Sequence, residues 1–239
     1  MTLLLALLIA FPGERIANLP TGRTLDAGVW QIGIGHRWMS AADNSVLEGN
    51  FLNIIRDASV RISVERGFDA DINAGAWVAS ENNEVGVGAS WAPARWLTAS
   101  AGVGGSIVAL EAARTWANAG AAFHAGWRDR IHFTAMPRFT TNLDGERMYA
   151  TVGLGLKGNL GRGFTLGFET EPVLYRSAQT DDTGLLAWNV AIDRKLGWHN
   201  FTVTVGNAWH QAVPGWFASA NRDITRGHFR IGFAILRKL

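Results

Sequence analysis

The chain of 239 residues has no cysteine, which excludes a disulfide scaffold, a thiolate metal site and a cysteine nucleophile. No run of roughly 20 apolar residues interrupts its body, so no segment there suits a bilayer-spanning helix. Neither sign of charge dominates: 22 Lys+Arg face 20 Asp+Glu, without a basic cluster that would mark a nucleic-acid surface. The histidines at 36, 124, 132, 199, 210 and 228 form no His-x-x-x-His pair or zincin motif. No serine nucleophile motif stands beside a base and an orienting group. The expectation is a protein without cofactor or metal and without an enzymatic role.

What the chain does have is glycine and tryptophan, 28 and 11 residues, in a composition 48% hydrophobic and 18% charged. The mean hydropathy is only +0.06. Moderate hydropathy with many small and aromatic residues suits strands in which each apolar residue is followed by a polar or small one. From Gly28 onward this period of two recurs. Ala58, Val60, Ile62 and Val64 form one face of a segment, and Ser59, Arg61, Ser63 and Glu65 form the other. Near the end, Phe229, Ile231, Phe233 and Ile235 alternate with Arg230, Gly232 and Ala234. About twelve such strands of roughly 9–12 residues are expected, a length matched to a tilted strand crossing a bilayer. They begin near Gly28, Asp57, Asp69, Glu84, Trp96, Thr115, Arg130, Arg147, Gly163, Gly184, His199 and Arg226.

The links alternate in length as well. Tight ones at Arg66-Gly67-Phe68, Pro93-Ala94 and Arg128-Asp129 are interleaved with longer ones, above all 39–56 and 208–225. Short turns on one side and long loops on the other belong to an outer-membrane barrel, not to a soluble sandwich. The fold class expected is therefore all-β, an antiparallel transmembrane β-barrel of about 12 strands, filling residues 23–239 as a single domain. Its location would be the outer membrane of a Gram-negative-type bacterium. Its partners would be the lipid bilayer and the outer-membrane assembly machinery. Residues 1–22 are expected to be a signal peptide or N-terminal segment. Met1 to Ala10 supplies a short apolar core but lacks a basic start.

Tryptophans at 30, 38, 91, 96, 127, 198 and 209 fall at or near expected strand ends (Trp30, Trp38, Trp91, Trp96, Trp127, Trp198, Trp209), where indole suits the boundary between hydrocarbon and headgroup. Trp77 and Trp188 fall mid-strand. By parity the lumen would hold Arg37, Arg61, Glu65, Asp71, Arg138, Arg147, Lys157, Glu169, Glu171, Asp193 and Arg230. Such mixed charge fits two arrangements: ion pairs that fill and stiffen a closed barrel, or opposed walls that orient a small polar solute. Phe51 in the first long link, and Trp216 and Phe217 in the last, are candidates for binding at the loops. Gly153-x-Gly155-x-x-Gly158 matches a dinucleotide fingerprint in letters only. It lies within an alternating strand, where inward glycines make room. Asp69-x-Asp71-x-Asn73 opens like a calcium loop, yet Ala74 stands at the position that needs glycine.

Leu19-Pro20-Thr21-Gly22-Arg23-Thr24-Leu25, then Ile34-Gly35-His36-Arg37-Trp38, with Gly227-His228-Phe229-Arg230-Ile231-Gly232-Phe233-Ala234-Ile235-Leu236-Arg237 at the end, resemble an uncharacterised outer-membrane β-barrel family. Its members open with Pro-Thr-x-x-Thr-Leu and a strand ending in His-Arg-Phe, and close with Gly-Phe-x-Ile-x-Arg. Trp38 stands in place of that phenylalanine, and the family's Gly-Leu-Asp signature after the first loop is missing. The resemblance implies fold and location and brings no activity with it. The functional expectation is a small pore or solute-binding channel. The alternative is a structural or interaction barrel with a side-chain-filled lumen, acting through its external loops.

Overall fold

The two faces of each alternating strand separate onto opposite sides of one closed wall. The computed structural model describes residues 19–20, 24–38, 58–80, 83–106, 115–128, 130–177, 186–207 and 229–239. In chain order the strands are β1 (Trp30–Trp38), β2 (Ala58–Phe68), β3 (Ile72–Ala79), β4 (Glu84–Ala94), β5 (Leu97–Ser106), β6 (Thr115–Trp127) and β7 (Ile131–Asn142). They continue as β8 (Met148–Gly161), β9 (Phe164–Glu171), β10 (Val173–Arg176), β11 (Ala187–Leu196), β12 (His199–Gly206) and β13 (Arg230–Lys238). Strands adjacent in sequence pair antiparallel from β1 to β9 and from β11 to β13, β9 pairs with β11, β10 pairs with β8, and β13 returns to β1 through seven register pairs from Gln31↔Lys238 to Arg37↔Gly232. The sheet therefore closes on itself, which lets ladder groups be satisfied without water.

β9 and β10 are two halves of one barrel strand, so the wall has twelve strands. Both halves lie against β8; the strand is interrupted at Pro172, and the register shifts just beyond it, between Val173 and Tyr175. Proline has no N–H to give the ladder, but its carbonyl accepts from the Val152 amide at 3.1 Å. Val152 also pairs with Pro137 of β7. Two prolines thus flank the same residue of β8, and the wall is irregular at that level.

Burial decides which solvent each face is built for. On β2, Ile62 and Val64 project outward and are exposed, while Arg61, Ser63 and Glu65 point inward and are half-buried. Elsewhere the contrast is sharper: Ile131 and Val203 are each 51% exposed, whereas Lys157 is 3% and Arg230 is 0% exposed. Rows of isoleucine, valine and phenylalanine on the outside, with charge inside, invert a soluble core and match a wall set in hydrocarbon.

Links at one end are two or three residues long: 69–71, 95–96, 128–130, 162–163 and 197–198. Left-handed backbone at Ala70 and Asp71, φ 61° and 56°, makes the β2–β3 turn tight enough to join adjacent strands. At the other end the links run from four residues, 80–83, to the long stretches 39–57 and 207–229. Short turns mark the periplasmic end of such barrels. Both chain ends of the wall lie there too, where Trp30 and Leu239 exchange backbone hydrogen bonds of 3.3 and 2.8 Å. The strand positions follow the sequence pattern to within about three residues, with one added feature, the break at Pro172. The expected last start, Arg226, lies outside the described residues.

Candidate functional site

Among the described residues, the lumen is where the fold gathers polar side chains away from lipid. Its two sides differ. Along β7, β8, β9, β11 and β12 it is packed with paired charge. Lys157 Nζ lies 2.7 Å from Asp193 Oδ2, with Thr165 and Thr202 also donating to that carboxylate at 3.0 and 2.5 Å. Arg138 Nη2 lies 3.2 Å from Glu171 Oε2, and the Thr151 hydroxyl donates to Glu171 Oε1. The four charged side chains are at most 5% exposed. Burying an ion is costly unless a counter-ion and hydrogen bonds replace its water, and both pairs meet that condition.

Glu169 completes this side. One of its carboxylate oxygens accepts from Asn189 Nδ2 at 3.0 Å, and the other accepts from the Leu19 amide at 3.2 Å. Leu19 itself is buried inside the barrel against Ala122 and Met136. Around it, between Arg138, Glu169, Glu171 and Asn189, a cavity of only about 10 Å³ is left.

Toward the periplasmic end, β5, β6 and β7 carry a hydrogen-bonded chain. The Thr134 hydroxyl donates to the Pro20 carbonyl at 3.0 Å. Its oxygen also meets His124 Nδ1 at 3.1 Å and His132 Nε2 at 2.9 Å, and His124 Nε2 meets Thr98 Oγ1 at 3.0 Å. With the threonine proton committed to Pro20, the chain is satisfied when both imidazoles donate to Thr134 and Thr98 donates to His124.

The opposite side, β2 to β6, is lined by small residues and left open. A cavity of about 140 Å³ lies there, bordered by Arg61, Glu65, Asn73, Trp77, Ser100 and Asn118. At its edge Trp77 and Trp116 lie nearly parallel, with ring centroids 6.0 Å apart and planes at 12°. Gly86 and Gly104 make this possible, because a Cβ on either would come within 2.5 Å of an indole carbon. The Arg61 guanidinium sits 5.1 Å over the Trp77 ring, an attractive placement for a cation on a π face.

The residues expected in the lumen divide as follows. Arg138, Lys157, Glu169, Glu171, Asp193 and Arg230 are buried within it, and Arg61 and Glu65 border its open side. Asp71 lies instead on the exposed β2–β3 turn, and Arg147 in the β7–β8 link, where its amide donates to Asn142 Oδ1 at 2.8 Å. Both sit at rims because the strands end one residue short of them. Arg37 pairs through its backbone with Ser59 and Gly232; its side chain lies outside the described residues. Trp30, Trp91, Trp96, Trp127 and Trp198 are exposed on the outer wall at the periplasmic end, with Arg66 stacked 5.2 Å over Trp30 and Arg128 5.5 Å over Trp127. The Trp38 side chain, Trp209 and the loop candidates Phe51, Trp216 and Phe217 lie outside the described residues. Trp77 faces the lumen and Trp188, half-exposed, faces outward. Sequence reasoning missed the Thr98–His124–Thr134–His132 chain, although all four share the inward parity. It also missed Leu19 and Pro20, which precede any alternation.

A closed twelve-stranded antiparallel wall, apolar outside and polar inside, with short turns at one end, defines a membrane-bound, pore-like β-barrel of the outer membrane. Residues 130–239 match a family model described as "Membrane bound beta barrel domain (DUF5777)". That is a domain of unknown function, in keeping with the expected resemblance to an uncharacterised outer-membrane β-barrel family. Among solved structures the chain is similar to the KdgM porin, with TM-score 0.55 at 14% identity over 87% of this chain and 98% of that one. It is also similar to the NanC porin, with TM-score 0.56 at 12% identity over 88% and 100%. At these identities the likeness is one of fold. No curated protein matches by sequence.

Proposed function

We propose that the protein is a small pore or solute-binding channel, passing or holding a small polar solute along the open side of its lumen. The observation that carries this reading is the division of the interior. The 140 Å³ cavity between Arg61, Glu65 and Asn118 is many times larger than the space for one water, whereas the 10 Å³ left beside Leu19 is about one. A barrel built only for rigidity would have no use for a wall of glycine, alanine and serine on β3, β4 and β5. Arg61 and Glu65 bring one charge of each sign to the open side, so the passage favours hydrogen-bonding solutes over apolar ones. No catalytic role is assigned to the lumen residues. During biogenesis the closing strand β13 is the element offered to the assembly machinery.

The test is planar-bilayer recording of detergent-purified protein whose folding is verified by heat-modifiable gel mobility. Discrete conductance steps are expected, and Arg61→Gln shifts the balance of cation against anion flow. Folded barrels that carry no current overturn the pore. The buried pairs Arg138–Glu171 and Lys157–Asp193 favour the second reading, a filled structural barrel working through its loops. That reading predicts silent bilayers.

A further inference from the structure

Thr24 and Leu25 are held at the periplasmic end of the lumen, and Leu19 and Pro20 lie farther in. Met136 and Gly153, which flank Leu19, stand near the midpoints of β7 and β8. Apolar side chains and three backbone polar groups gain entry to a polar interior only where partners wait for them. They do. The Leu19 amide donates to Glu169, the Pro20 carbonyl accepts from Thr134, and the Leu25 amide donates to Asn73 Oδ1 at 3.0 Å. The wall also yields space at both contact points. A Cβ on Gly153 would lie 2.6 Å from Leu19 Cδ2, and one on Gly67 would lie 2.3 Å from the Asp26 carbonyl oxygen. Leu19 and Leu25 are each 2% exposed. Receptor groups for so short a stretch come from strands on opposite sides of the barrel.

We infer that this segment is a permanent part of the working barrel and that Leu19 sets the width of the pore. This rests on the pore reading above. Leu19 fills the β7–β9 side and leaves passage to the small-residue side, so removing its side chain widens the free part of the lumen. The segment stays on the mature chain, and any leader is cut before Leu19.

Two measurements test this. N-terminal sequencing of the protein recovered from outer membranes should find Leu19 retained; a chain starting beyond Pro20 overturns the inference. In planar bilayers and in liposome swelling with sugars of graded size, Leu19→Gly should raise conductance about two-fold and admit larger solutes. The pair Leu19→Cys with Met136→Cys, the only thiols in the chain, should keep wild-type conductance when oxidised. A silent wild type with a conducting Leu19→Gly variant overturns the pore reading and, with it, the constriction of a working pore. A conducting wild type indistinguishable from Leu19→Gly overturns the constriction and leaves the pore standing. Folded barrels that are silent in both forms overturn both.

Discussion

Gly153 of β8 faces Leu19 at a distance that leaves no room for a methyl group, since its Cβ would lie 2.6 Å from one leucine carbon and 2.9 Å from Arg138 Nη2. Gly153→Ala therefore has to push Leu19 or the guanidinium aside. In a Leu19→Cys background, this second change should speed maleimide labelling from the periplasmic side by about ten-fold, as the thiol leaves its pocket. Equal labelling rates with and without it would show that the wall yields instead.

The Lys157–Asp193 pair offers a test of buried charge. Lys157→Met leaves Asp193 with its two threonine donors and no cation, at an expected cost of about 3–5 kcal/mol. Urea unfolding in lipid vesicles, followed by tryptophan fluorescence, measures the loss. The double change Lys157→Met with Asp193→Leu should recover most of it, because no uncompensated ion remains.

Indole stacking depends on two missing side chains. Gly86→Val or Gly104→Val collides with Trp77 or Trp116, and each should cost about 1–3 kcal/mol. The near-ultraviolet circular dichroism of the parallel indoles should fall in both variants. Loss of stability with an unchanged aromatic signal would mean that the rings do not rest on these glycines.

Ile34 stands midway along β1 on the outer wall, opposite Ile62 and Ile235, and is 47% exposed. Ile34→Arg should destabilise the folded barrel by about 2–4 kcal/mol, the depth-dependent cost of a cation facing hydrocarbon. Arg237, exposed on the same face near the periplasmic end, should tolerate exchange to Lys with little effect, since its charge reaches the interface. Vesicle unfolding titrations compare the two.

Much of the wall was legible because one physical rule, alternate residues meeting lipid, writes itself at every second position. Ile62 and Val64 against Arg61 and Glu65 show it plainly. Charge partners were not legible: parity put Lys157 and Asp193 on the same side of the wall, but only strand order brings β8 and β11 to either side of β9. Asp71 and Arg147 show the limit of parity at strand ends, where one residue separates wall from turn. Leu19 was invisible for another reason. Its burial depends on a glycine, a carboxylate and a threonine from three different strands, none of them near it in sequence.

The hydrogen bonds between Trp30 and Leu239 have a consequence for biogenesis. The seam between β1 and β13 joins the earliest strand of the wall to the latest, so the ring stays unsealed until β13 is in place. Closing so long a chain loop is slow and entropically unfavourable. Meanwhile two raw flanks can recruit a neighbour's strand. The same seam that makes the finished ring closed is thus its most vulnerable line while it is still open.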